Sequence, residues 1–150
     1  MIICGISFYK MVLIENYNPF SFIDIFHVRT VLTVENMDSA KFSKTKNLWE
    51  AIINKATEEI PDSTENIELD YKPEQDGKSG KLTVDIKQLD TKDKEEINSI
   101  IDNGEEFRKQ LNEEIAATNA DELEDVEVTE STNAIITEGI DNFLNAIIMF

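Results

Sequence analysis

Apolar and polar residues alternate along "FSFIDIFHVRTVLTV", residues 20–34. Phe22, Phe26, Val28, Leu32 and Val34 share one face at a period of two, and His27, Arg29 and Thr33 share the other. β-Branched and aromatic residues dominate, which suits a half-buried strand. Residues 2–9 predict a neighbouring strand, with a turn near "ENYNPF". The period then changes. Leu48, Trp49, Ile52, Ile53, Ala56 and Ile60 recur at helical spacing. Asp38 or Ser39 is placed to cap this helix and Pro61 to end it.

Alternation returns in Ile67, Leu69 and Tyr71 and again in Leu82, Val84 and Ile86. Between them "KPEQDGKSGK" is rich in turn formers, so the pair predicts a β-hairpin with a mobile loop. A helix pair follows. Asp90 or Thr91 caps the first helix, Ile97, Ile100 and Ile101 face inward, and Asn103-Gly104 closes it. The second carries Phe107, Leu111 and Ile115 on a narrow stripe. Residues 120–131, with Leu123, Val126 and Val128, predict an edge strand or an acidic loop. Ile136, Ile140, Phe143, Leu144 and Ile147 space as a terminal helix. The alternative is a strand through Ala134–Ile136 with Thr137 capping a shorter helix. The sum is a single α+β domain over residues 1–150. It has a mainly antiparallel sheet of N-terminal strands and a central hairpin, helices packed on one face, and an acidic, helix-rich part from about residue 91.

Charge changes this picture. Asp and Glu number 31 against 14 Lys and Arg, a formal net charge of −17. The excess is local: about −1 over residues 1–37, about −3 over 38–92 and about −13 over 93–150. Such a field repels phosphate, so direct nucleic-acid binding and docking on anionic lipid are disfavoured. It favours a protein partner with a basic or apolar docking surface, or self-association. The apolar start is short of a membrane span, is interrupted by Lys10 and has no basic n-region, so a soluble protein is expected, cytoplasmic or virion-associated and not secreted. Abundant Ile, Asn, Lys and Glu fit AT-rich coding, as in a bacteriophage or a low-GC bacterium.

Candidate chemistry is sparse. Gly-Lys-Ser at residues 77–79 ends like a phosphate-binding loop, but Lys72 stands where the wrapping glycine belongs, and the loop joins two alternating strands. Gly77 and Gly80 are read as positive-φ turn residues. His27 and Cys4 are single, which leaves no disulfide, no paired-imidazole metal site and no nucleophile motif. The acids have no EF-hand spacing about Gly77 or Gly104. No catalytic residue, metal ligand or cofactor is therefore expected. The expected acidic surface is Glu106, Glu113, Glu114, Glu122, Glu124, Asp125 and Glu127, with Glu95 and Glu96 near Glu106. The expected partner interface is Phe143, Leu144, Ile147 and Phe150. The function this favours is a non-enzymatic assembly or interaction component, an accessory subunit or a phage structural protein. The alternative is an acidic decoy that mimics nucleic acid and inhibits a DNA- or RNA-binding protein.

Overall fold

The structure, a computed structural model, describes residues 25–58 and 66–138. The expected strand at 2–9, Phe22, Cys4, Ile60, Pro61 and the C-terminal set Phe143, Leu144, Ile147 and Phe150 lie outside the described residues.

Strand β1 (Phe26–Glu35) is the centre of the sheet. Val28, Thr30, Leu32 and Val34 are buried on its inner face, and His27, Arg29, Val31 and Thr33 point the other way. The alternation seen in the sequence is thus the division between core and solvent. Thr30 is the polar member of the buried row, and its hydroxyl donates to the Thr132 carbonyl at 2.8 Å, so burial leaves no unmet donor.

Helix α1 (Ser39–Ala56) begins where the Asp38 carboxylate accepts from the Lys41 backbone N–H at 2.7 Å. Trp49, Ile52, Ile53 and Ala56 are buried along one face, with Leu48 partly buried beside them. The helix stops at Ala56, before Pro61. The Thr57 hydroxyl and amide both donate to the Ile53 carbonyl, and Glu58 takes φ 62°, off the helical path.

Strands β2 (Ile67–Pro73) and β3 (Ser79–Leu89) form the expected hairpin, and β3 pairs with the whole of β1. The connecting loop carries hydrogen bonds of its own. One Asp76 carboxylate oxygen accepts from the Lys78 and Ser79 backbone N–H groups at 2.9 and 3.1 Å, and Gly77 alone supplies a positive φ, 69°. Gly80 does not have a positive φ. It is needed because a Cβ there would collide with the Tyr71 ring and the Lys72 carbonyl. Tyr71 is itself fixed by a hydrogen bond to the Met37 carbonyl and by stacking on Phe42.

Hydrogen bonds to the backbone N–H groups of Lys78 and then Ser79 hold the Asp76 carboxyl below its ordinary pKa. A group depressed in the folded state contributes stability above its unfolded pKa and loses it as pH falls through the folded value. Asp76→Ala is therefore expected to lower the urea midpoint at neutral pH. The gap from wild type should close as pH drops below the carboxylate range, as matched unfolding curves at neutral and acid pH will show.

Helices α2 (Thr91–Asp102) and α3 (Gly104–Thr118) follow. Asp90 caps α2 through the Asp93 N–H, Ile97 and Ile101 are buried with Ile100 half-buried, and Phe107, Leu111 and Ile115 form the buried stripe of α3. Asn119, at φ 54°, ends α3 in the left-handed region that Asn tolerates.

After a single 3₁₀ turn (Asp121–Leu123), the C-terminal part returns to the sheet as strands β4 (Glu127–Ser131) and β5 (Ile135–Glu138). The acidic segment is therefore a turn and loop through residue 126, where Glu122, Glu124 and Asp125 lie, and an edge strand only from Glu127. Ile136 is a strand residue and not part of a helical stripe, because it pairs with Val28, and Thr137 pairs with His27 where a helix cap was the alternative. The order is β2-β3-β1-β4, with β5 also on β1 and every pairing antiparallel. Since β3 occupies one side of β1 throughout, β4 and β5 run in succession along the other. One buried cluster joins the inner sheet face to α1, α2 and α3. This is an α+β fold with its helices on one side of an antiparallel sheet.

The outer edge of β4 is closed by a side chain. The Asn112 amide donates to the Val128 carbonyl at 3.0 Å and accepts from the Val128 N–H at 2.8 Å, as a neighbouring strand would. Asn112→Ala strands one donor and one acceptor in a half-buried place that water can partly reach. The expected cost is about 1–2 kcal/mol in chemical denaturation, with faster exchange of the Val128 amide.

Candidate interaction surface

The two surfaces of the molecule treat charge differently. On the open face of the sheet the Arg29 guanidinium meets Asp85 through two contacts, Nε to Oδ1 at 2.7 Å and Nη2 to Oδ2 at 3.0 Å. The hydrogen bond and the charge of Asp85 raise the Arg29 pKa further above its ordinary value. Lys87 pairs with Glu68 at 2.7 Å, and Lys81 donates to the Thr33 hydroxyl at 2.8 Å. These contacts follow from cross-strand register, which sets Arg29 opposite Asp85 and Asp85 opposite Glu68. His27 lies on this face beside a cavity of about 290 Å³ bordered by both ion pairs, Ile135 and Thr137. Its Nδ1 is buried with no hydrogen-bond partner among the described residues.

The helical side is different. A groove runs between the end of α1, the outer face of α2 and the first turns of α3. It consists of two adjoining cavities, about 280 and 510 Å³, that share Glu58, Ser99 and Ile100. Its apolar lining residues are Ala56, Ile100 and Phe107; Ala56 and Phe107 are buried, and half-buried Ile100 supplies most of the exposed apolar surface. Helical spacing brings Glu96, Ser99, Ile100 and Asn103 to one side of α2 and its end, and the left-handed turn at Glu58 carries that carboxylate to the same place. Glu58, Glu95, Glu96 and Glu106 line the groove, with Lys92 as its one cation among the described lining residues. All four carboxylate residues are exposed, and none makes an ion pair among the described residues.

The acids expected from sequence thus separate. Glu106 joins Glu95 and Glu96 at the groove. Glu113 is exposed further along α3, and Glu114 accepts from the Gln110 side chain at 3.0 Å. Glu122, Glu124, Asp125 and Glu127 are all exposed, but they come after the far end of α3, which is ~18 Å from Glu106 at 1.5 Å per residue. Glu127 stands opposite Glu35 across the β1–β4 ladder. Asp125 borders a separate cleft with Asp38, Lys41 and Lys78. Among the described residues no three of His, Cys, Asp and Glu gather as metal ligands. Also among the described residues, no helix is long and apolar enough to cross a membrane.

Glu58 was missed by sequence reading. It lies more than thirty residues from α2, and a left-handed glutamate after a helix leaves no local signal. No protein-family model matches the sequence, and no curated protein or solved structure matches it either.

Proposed function

We propose that this chain is a non-enzymatic interaction or assembly component, an accessory subunit or a structural part of a larger particle, that receives a basic protein partner on its helical layer. The observation that carries this reading is the groove: a half-buried Ile100 flanked by Glu58, Glu95, Glu96 and Glu106, with no ion pair to hold those carboxylates among the described residues. An apolar floor with a charged rim suits an anchor side chain on a basic segment. The sheet face, whose charges are matched in pairs, offers less to a charged partner. Phe143, Leu144, Ile147 and Phe150 remain proposed as a second, apolar part of the interface.

Affinity capture from the native source, run at low and high salt on wild type and on the double variant Glu96→Lys/Glu106→Lys, tests the proposal. A discrete basic protein should be retained by wild type, released by salt and lost by the variant. A strictly monomeric chain that retains the same proteins in both forms would sink it. The decoy reading shares the charge and predicts a narrower outcome: a nucleic-acid-binding partner that added DNA or RNA displaces.

A further inference from the structure

The two sides of the sheet end differently. The β2 edge carries Glu68, Asp70, Lys72 and Pro73, residues that discourage strand addition. On the other side the Asn112 amide covers the backbone of Val128, and the Asp102 carboxylate accepts from the Ala134 N–H at 2.9 Å. Among the described residues this cover stops at Ala134. All four residues of β5 are exposed, Ile135 at 57% and Ile136 at 39%. The strand has neither lysine nor proline, and it presents an isoleucine on each face of the sheet. With β1 on one side of it, the alternate N–H and C=O groups on its other side meet no strand among the described residues. An edge of this kind is a template for pairing.

We propose that the outer edge of β5 is a strand-addition site for an extended segment of another protein, one that alternates apolar and basic residues. The backbone of β5 would hold the segment by ladder hydrogen bonds; Ile135 and Thr137 would lie beside its apolar face, and Glu138, on the opposite face with Ile136, beside its basic one. Charge decides between a partner and a second copy. Glu138 ends β5, Glu130 lies on β4 in the same flank of the sheet, Asp102 sits at Ala134 just before β5, and the chain carries −17. Pairing two copies here sets like charges together, whereas a basic segment meets opposite ones. This site is independent of the groove on the helical layer.

The probe is a blocked synthetic peptide of alternating lysine and valine, added to the full chain and followed by amide exchange and chemical shifts. In the free monomer the outward amides of Ile135–Glu138 should exchange faster than those of β1 and β3. Peptide should slow them in a salt-dependent manner. Ile135→Lys/Ile136→Lys, both at exposed positions, should weaken binding at least about tenfold. A peptide N-methylated at alternate residues should not bind, a control that leaves the protein unchanged. Any of four results overturns the proposal: no binding, equal binding of the N-methylated peptide, a dimer paired through β5, or slow β5 exchange in the free monomer, which would assign the edge to the chain's own residues.

Discussion

Replacing Trp49 by alanine is expected to lower the unfolding free energy by about 3–5 kcal/mol, close to the whole stability of a marginal domain. Trp49 is fully buried and is the only tryptophan in the chain. It lies on the inner face of α1 with Ile52, Ile53 and Ala56, in the cluster that joins that helix to the sheet. Removing the indole takes away its transfer free energy and leaves a cavity that neighbours fixed on a helix and a sheet only partly refill. Its Nε1 has no hydrogen-bond partner among the described residues, so the indole already carries a desolvation cost. Trp49→Phe removes that donor while keeping most of the ring, and should cost far less than Trp49→Ala. Urea curves followed by far-UV circular dichroism, which needs no tryptophan signal, will separate the two. Equal losses would contradict the burial of the ring in this cluster.

Gly80→Ala should be the most damaging single-methyl change in the sheet, about 1–3 kcal/mol or more for an overpacked site. The added Cβ meets the Tyr71 hydroxyl, the Tyr71 ring and the Lys72 carbonyl of the paired strand. The tyrosine cannot swing aside without losing its bond to the Met37 carbonyl and its stacking on Phe42. The backbone carbonyl cannot move without disturbing the β2–β3 ladder. Combining Gly80→Ala with Tyr71→Ala removes the ring clash and leaves the carbonyl one. The double variant should therefore lose less than the sum of the two single losses, and strict additivity would place the strain elsewhere. Gly77, by contrast, has open space around it and is fixed by its φ of 69° alone.

Elements whose burial is periodic were legible in the sequence. Val28, Leu32 and Val34 in β1, Trp49 and Ile53 in α1, and Phe107, Leu111 and Ile115 in α3 lie on the faces their spacing implies. So do Ile67 and Leu69 against Val84 and Ile86 in the hairpin. What was not legible depends on partners far along the chain. Thr30 is polar at a core position because Thr132, a hundred residues later, accepts its proton. Asn112 reads as an ordinary exposed helix residue until β4 arrives beside it. Gly80 reads as a turn glycine because the crowding that requires it comes from Tyr71 on the facing strand. Ile136 fits a helical stripe and a strand equally well, and pairing with Val28 of β1 decides for the strand. The acids were only partly legible as a place. Sequence set Glu95 and Glu96 near Glu106, and folding gathers all three with Glu58 at the groove; it also joined Glu106 to Glu122, Glu124, Asp125 and Glu127 in one surface, and folding leaves those four past the end of α3.

The most direct measurement is chemical-shift mapping of the full chain with its captured partner. Perturbations are expected to gather on Glu58, Glu96, Ile100, Glu106 and Gln110 and to shrink as salt is raised. Perturbations confined to the Arg29–Asp85 face and indifferent to salt would contradict a partner seated in the groove.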